Sequence, residues 1–394
     1  VQCMAMSWLV VSLFWHVAKD VWGIASLATL LVLAVLTPAA FFAGLIMPDI
    51  WAGLMVLALA LFWSSGAQLT RTSKLAIFAI VAFAVLVHKS HLALLCVLCA
   101  GYAAVYLVKR KDTLAMRRML AIPLLALGCG IVGHMAFSLA VREIYGVAQI
   151  SRPHITAHLV DLGPGTDFAR ESCPESGLAI CAFVDRLPTN WIQFLFSRDA
   201  ESGVFAVSSP DVMQTLSEEQ AQFALGTLAT RPVETIAGLL RDGVAQLWTL
   251  SVADVPLTLE NAAFLESRFP QSLVHMTQGT VFYNNPEKAE MVTRVTQVTT
   301  ALSTVLLLGL LCLRVGESRL RNEGNADTDD ALWTIVAICV AGVVANALIC
   351  GILASPYGRF QARIVWILPF LAGLILAARH VPVPARHGLF ATTK

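Results

Sequence analysis

The sequence predicts an all-α polytopic membrane protein, with 8–9 transmembrane helices and one mixed, mainly helical extracytoplasmic segment. Three observations carry that prediction. Of 394 residues, 57% are apolar and 13% charged, with a mean hydropathy of +0.72, whereas soluble domains are about a quarter charged. The charges are missing from long apolar stretches and bunched between them, as expected where lipid-facing helices alternate with loops. The basic residues also fall mostly on one side of the implied membrane. A net charge of +1 leaves no electrostatic footprint for nucleic acid, which is excluded as a partner.

Apolar stretches lie at 4–18, 22–46, 50–66, 75–87, 91–108, 119–140, 296–314, 331–353 and 364–379. Most reach the ~17–25 residues that cross ~30 Å of hydrocarbon as a helix. The first is weak, so the count is eight or nine. The 75–87 stretch rises only about 20 Å and needs Lys74 and His88 to reach the interfaces. If each stretch crosses, one side collects Lys19, Arg71, Lys74, Lys109, Arg110, Lys111, Arg117, Arg118, Arg314, Arg319, Arg321, Arg379, Arg386 and Lys394. The short loops of the other side hold Lys89, Arg359 and Arg363. The positive-inside rule makes the first side cytoplasmic. Deleting the 75–87 span would separate the 109–118 loop from Arg71 and Lys74, so that span is kept.

The chain then divides into a membrane region 1–140 of five to six spans, an extracytoplasmic segment 141–295, and a region 296–394 of three spans and a cytoplasmic tail. The first residue is Val1; an alternative start codon and a missing upstream span are both compatible with it. The lack of N-x-[ST] sequons fits a bacterial inner membrane, with 141–295 in the periplasm.

Cys96-x-x-Cys99 lies inside a span without a second ligand pair, so packing explains it better than metal. Cys173 and Cys181 are the two cysteines of the outer segment, where an oxidising compartment favours a disulfide between them. Gly163-Pro164-Gly165 lacks the context of a phosphate loop and reads as a turn. Ser217-Glu218-Glu219-Gln220 reads as a capping box that opens a helix to about Thr230. Arg231-Pro232 starts another, whose apolar residues Ile236, Leu239, Leu240, Val244, Leu247 and Trp248 recur at helical spacing. That stripe suits a domain core better than a membrane surface.

Ionisable groups near membrane depth are costly and therefore candidate functional residues. Asp49 follows Met47-Pro48 and opens a span; it suits a helix-terminal carboxylate, or a catalytic base or divalent-metal ligand in an outward cavity. His88 and His91, three apart around Lys89, suit interface anchoring, or a metal or phosphate contact at the rim of such a cavity. Arg359 and Arg363 in SPYGRFQARIVW suit a lipid phosphate, because guanidinium contacts phosphate oxygens bidentately. Topology alone brings these three loops to one face, together with the outer segment.

The span pattern, the Pro48-Asp49 dipeptide at the outer start of a span and the late outer loop with its arginines resemble the GT-C superfamily of membrane glycosyltransferases. MPDIWAGL, HKSHLALL and GRFQARIVWILPF are also similar to segments of bacterial membrane proteins of related layout. The resemblance implies sugar transfer from a polyprenyl-phosphate donor outside the cytoplasm. Asp49 would then be catalytic, orienting the acceptor or holding a divalent metal, and Arg359, Arg363 and Lys89 would bind the lipid phosphate. That superfamily also carries an acidic residue in a first outer loop that has no counterpart here. A non-catalytic subunit packed against other membrane proteins is the alternative.

The charge asymmetry makes a direct prediction. An impermeant thiol reagent added outside should label Ala200→Cys and spare Asp112→Cys; the reverse pattern would invert the topology.

Overall fold

Sixteen residues without a charge, Ile50–Ser65 (α4), form the axis of the structure, and every residue from Ile50 to Trp63 is buried. An apolar helix hydrophobic on all sides must be covered on all sides. The computed structural model describes residues 1–19, 21–45, 47–109, 112–253, 266–267, 269–278, 285–320 and 326–379, with side chains described outside 315–329. The described chain is 80% helical and contains no strand. Arg110, Lys111, Arg321, the Arg319 side chain and the expected tail with Arg386 and Lys394 lie outside the described residues.

The elements before α4 are α1 (Gln2–Val17), α2 (Ile24–Val35) and α3 (Ala39–Gly44). After it come α5 (Arg71–Val87), α6 (Lys89–Val108) and α7 (Thr113–Tyr145). The intervening segment holds α8 (His154–Leu162), α9 (Pro164–Ser172), a 3₁₀ turn at Ala179–Arg186, α10 (Trp191–Phe196), α11 (Pro210–Glu218), α12 (Gln220–Thr230), α13 (Pro232–Gln246) and α14 (Gln271–Gln278). The chain closes with α15 (Pro286–Leu320), α16 (Ala326–Ala354), α17 (Gly358–Val365) and α18 (Ile367–Arg379).

Among the described residues, five helical stretches are long and apolar enough to cross a membrane: Lys89–Val108, Thr113–Tyr145, Pro286–Arg314, Asp330–Ala354 and Gly358–Arg379. The eight or nine crossings read from sequence therefore exceed the long helices present. The difference lies at the amino-terminal end, where Gln2–Val17, Ile24–Val35 and Ile50–Ser65 are apolar but shorter and the 75–87 stretch lies in the 17-residue helix Arg71–Val87. The 22–46 stretch is not one helix. Pro38 has no N–H to continue the ladder and disfavours helical geometry at Thr37. The helix stops at Val35, with the Thr37 hydroxyl donating to the Leu33 carbonyl at 2.7 Å.

α1, α5, α16 and α17 pack around α4. Close approach depends on two glycines. A Cβ on Gly53 would lie 2.7 Å from the Trp366 ring, and one on Gly342 would lie 2.7 Å from Val56. α7 and α15 instead expose Leu125, Val132, Met135, Phe137, Leu302 and Val305, a surface suited to lipid.

Residues 154–223 build a second core around Leu159, Phe168, Phe183, Phe194 and Phe223. Cys173 and Cys181 are joined in a disulfide at its edge, with 5.4 Å between their Cα atoms. Gly163, at φ +110°, ends α8, and Pro164 opens α9 directly. The capping box is not formed. Ser217 and Glu218 close α11, while Glu219 accepts from the Ala179 amide at 2.8 Å.

α13 corrects the expectation for its apolar stripe. Ile236, Leu240, Val244 and Trp248 are exposed, and the packed face carries Thr235, Gly238, Gly243 and Gln246. Small residues win because α13 lies directly against α16. A Cβ on Gly351 would meet the Asp242 carbonyl oxygen at 2.5 Å and the Gly243 Cα at 2.8 Å. The buried Gln246 side chain then pairs with one backbone unit, accepting from the Tyr357 amide at 2.6 Å and donating to its carbonyl at 3.0 Å. His158 bridges the Ile352 carbonyl at 3.1 Å and the Asp242 carboxylate at 3.0 Å. Trp191 meets Tyr357 edge-on at 5.2 Å. The intervening segment thereby holds the turn that leads into α17.

Gly351→Ala should lower thermal stability by about 1–3 kcal/mol, because backbone rather than a flexible side chain must yield. Gly309→Ala, whose Cβ would have nothing within 4 Å, should be neutral. Thermal unfolding of both variants in one detergent decides the matter, and equal behaviour would contradict the packing account.

Candidate functional site

Asp49 starts α4, yet its side chain makes no capping hydrogen bond. It faces arginines instead. One carboxylate oxygen lies 3.8 Å from Arg359 Nε and 3.8 Å from Arg363 Nη1, with the Asp49 side chain 5% exposed. α17 supplies both cations one helical turn apart, so both reach the same carboxylate.

Arg363 is 1% exposed, and its burial requires acceptors. Asn346 in α16 is the main one, accepting from Arg363 Nη2 at 2.8 Å and from Nε at 3.2 Å. The Asn346 amide in turn donates to the Phe360 carbonyl at 2.7 Å, which fixes its orientation. Arg363 Nη2 also reaches Ser90 Oγ and Cys350 Sγ, both at 3.2 Å. Arg363 Nη1 and Arg359 Nε are buried atoms with no hydrogen-bond partner. The carboxylate is too distant for a hydrogen bond to either. Arg359 is the more accessible arginine, its side chain 31% exposed.

Ser90 passes the cluster on to His88. His88 Nδ1 accepts from the Ser90 amide at 3.2 Å and lies 2.8 Å from the Ser90 hydroxyl. It thus caps α6 through an unprotonated nitrogen. His88 also lines a cavity of about 690 Å³ with Lys89, His134, Ser151, Arg152 and His154. Among the described residues, no acid lines this cavity. Lys89 Nζ donates to Ser151 at 3.0 Å, and His154 Nδ1 is buried without a partner. Burial, followed by the charges of Arg363 and Arg359 and then by His154 and His134, pulls His88 down to about 3. Burial and Arg152 likewise hold His154 below the usual histidine range.

Asp49, Arg359 and Arg363 therefore meet, and His88 and Lys89 adjoin them. His91 does not stand on a rim. It is fully buried, donating from Nδ1 to the Ala84 carbonyl at 2.8 Å, with Nε2 unpartnered. The turn at His88 directs one imidazole outward and buries the other. Asp49 is itself enclosed rather than open at a cavity floor. A divalent metal does not suit these residues. Cations surround the Asp49 carboxylate, and among the described residues no group of three His, Cys, Asp or Glu side chains could hold a metal ion.

Asn346, His134, Arg152 and His154 were missed by the sequence reading. For two of them a signal existed. Asn346 is an amide deep in an apolar span, and His134 is the ionisable residue inside the 119–140 stretch. Comparison with known proteins found no matching family model, no matching curated protein and no matching solved structure.

His88 sets a pH dependence. Its folded value lies below the unfolded one of about 6.5, so the unfolded chain binds more protons at acid pH. The contribution is complete above about pH 6.5 and is lost as pH falls from there toward 3. His88→Asn keeps an acceptor for the cap without a titrating group. It should flatten the fall in melting temperature between about pH 7 and 5; an unchanged slope would show that His88 titrates in the fold as it does in the unfolded chain.

Proposed function

We propose that this chain is a multi-pass membrane protein that engages a polyprenyl-phosphate-linked sugar at the extracytoplasmic face of a bacterial inner membrane, in the manner of a GT-C glycosyltransferase. The observation that carries the reading is the convergence of Asp49, Arg359 and Arg363 beside an acid-free cavity lined by Lys89, Arg152 and imidazoles. Cations outnumber the carboxylate, leaving positive charge for a lipid phosphate. Arg359, the accessible arginine, and Lys89 are the groups that meet that phosphate. Arg363 positions Asp49, and Asp49 takes the acceptor proton or orients the acceptor hydroxyl. His88 stays neutral at the boundary, so it donates or accepts a hydrogen bond without adding charge.

In this reading the shorter apolar helices complete eight or nine crossings, some slanted or paired, with residues 141–295 periplasmic. The positive-inside asymmetry supports that sidedness.

One observation favours a non-catalytic subunit of a larger complex. Asp49 and Arg363 are almost fully enclosed and held like a structural ion pair. Removing one partner of such a pair typically costs about 3–5 kcal/mol.

Asp49→Asn separates the two. In membranes supplied with a polyprenyl-phosphate sugar donor, the transferase reading expects activity in the wild type. It also expects a loss of about 10²-fold or more in Asp49→Asn protein that is still folded and monodisperse. Arg359→Gln should mainly raise the donor KM. Wild-type transfer by folded Asp49→Asn protein would remove the catalytic role. Absence of transfer in the wild type, with destabilisation as the sole effect of the variant, would favour the subunit.

A further inference from the structure

The end of the bundle opposite Asp49 contains a second set of unsatisfied chemistry. α6 and α16 leave between them a groove of about 570 Å³, mostly apolar, whose walls include Gly101, Tyr102, Tyr106, Trp333, Ala337 and Ala341. Small residues open its floor: a Cβ on Gly101 would have nothing within 4 Å. Its aromatic wall is rigid. Trp63, near the end of α4, stacks on Tyr102 at 4.4 Å with 15° between rings and donates from Nε1 to the Met119 carbonyl at 3.0 Å. Lys109 and Asp330 also line this groove.

Trp333 separates the groove from a neighbouring cavity of about 620 Å³ that it lines with Leu311, Cys312 and Arg314. The Arg314 guanidinium lies over the Trp333 ring, 4.1 Å from its centre. Arg314 Nη1 is buried and has no hydrogen-bond partner. A guanidinium nitrogen left without an acceptor beside an apolar bundle is costly. Asp330 does not satisfy it, since the ion pairs of the described residues do not join Arg314 to an acid.

We infer that this place binds an anionic diacyl phospholipid, with its phosphate on Arg314 and one acyl chain in the groove between α6 and α16. Each half of the ligand answers a separate feature. The phosphate supplies the acceptor that Arg314 Nη1 lacks, and guanidinium matches its geometry bidentately. The chain fills the apolar part of the groove, lined by the Trp and Tyr side chains that collect at lipid headgroup level. Lys109 and Asp330 on the same groove offset one another in charge, so selection of an acidic headgroup rests on Arg314. The site is independent of any chemistry at Asp49 and stands at the other surface of the membrane.

The test is lipid retention by the full-length chain in neutral detergent, read by native mass spectrometry. Phosphatidylglycerol and phosphatidylcholine of identical acyl chains are titrated in parallel. Wild-type protein should hold phosphatidylglycerol about tenfold more tightly, equivalent to about 1.4 kcal/mol. Arg314→Gln should weaken phosphatidylglycerol far more than phosphatidylcholine, whose choline already offsets its phosphate charge, and so abolish that preference. Gly101→Leu, which fills the groove from an open helical position, should weaken both lipids in a monodisperse protein. Equal retention of the two lipids by the wild type would overturn the inference. So would a preference that survives Arg314→Gln, or lipid binding indifferent to Gly101→Leu.

Discussion

A buried guanidinium organises the Asp49 end of this molecule. Arg363 is enclosed among apolar helices, where an unpaired cation would be prohibitive, so several elements must bring acceptors to it. Asn346 comes from α16, Ser90 from α6, Cys350 from α16 and Asp49 from the start of α4. Together these contacts fix three helices, α4, α6 and α16, relative to α17. The arrangement is therefore a constraint on assembly before it is a site. It also leaves two guanidinium nitrogens unsatisfied beside one carboxylate, the sort of residual polarity that a ligand removes.

The segment between α7 and α15 is part of that arrangement rather than an appendage. α13 reaches α16 through glycines at Gly243 and Gly351, and Gln246 takes both polar groups of the Tyr357 backbone. Farther along, Thr293 accepts from the Val252 amide at 3.1 Å, and Gln297 donates to the Leu250 carbonyl at 2.8 Å. The turn that launches α17 is thus gripped from the segment side. The packed face of α13 meets Leu348 and Ile352 of α16 at Gly243, while Ile236 and Trp248 stay exposed on its other face.

Much of the site was legible because topology alone assigns short loops to a face. Asp49, Lys89, Arg359 and Arg363 could be grouped without knowing any contact. What single-residue reasoning could not supply was depth. His91 read as a rim residue and Asp49 as open at a cavity floor, but helix packing encloses both, since a loop residue's burial depends on neighbours distant in sequence. Asn346 was hidden in an otherwise apolar run, where one amide barely changes mean hydropathy. The exposed stripe of α13 was misassigned because helical periodicity identifies an apolar face without telling whether neighbours cover it. The 22–46 stretch read as one helix for a related reason: hydropathy runs across Pro38, where the backbone breaks into two helices.

The central claim is that Asp49 and Arg363 are coupled, so that three loops form one unit. A double-mutant cycle of Asp49→Asn and Arg363→Gln, read by thermal unfolding in lipid nanodiscs, measures that coupling directly. Each single change leaves a buried group without its counter-charge, so the account predicts an interaction energy above about 1 kcal/mol, with the double variant more stable than the sum of the singles implies. Additivity within about 0.3–0.5 kcal/mol would show two independent residues and contradict the account.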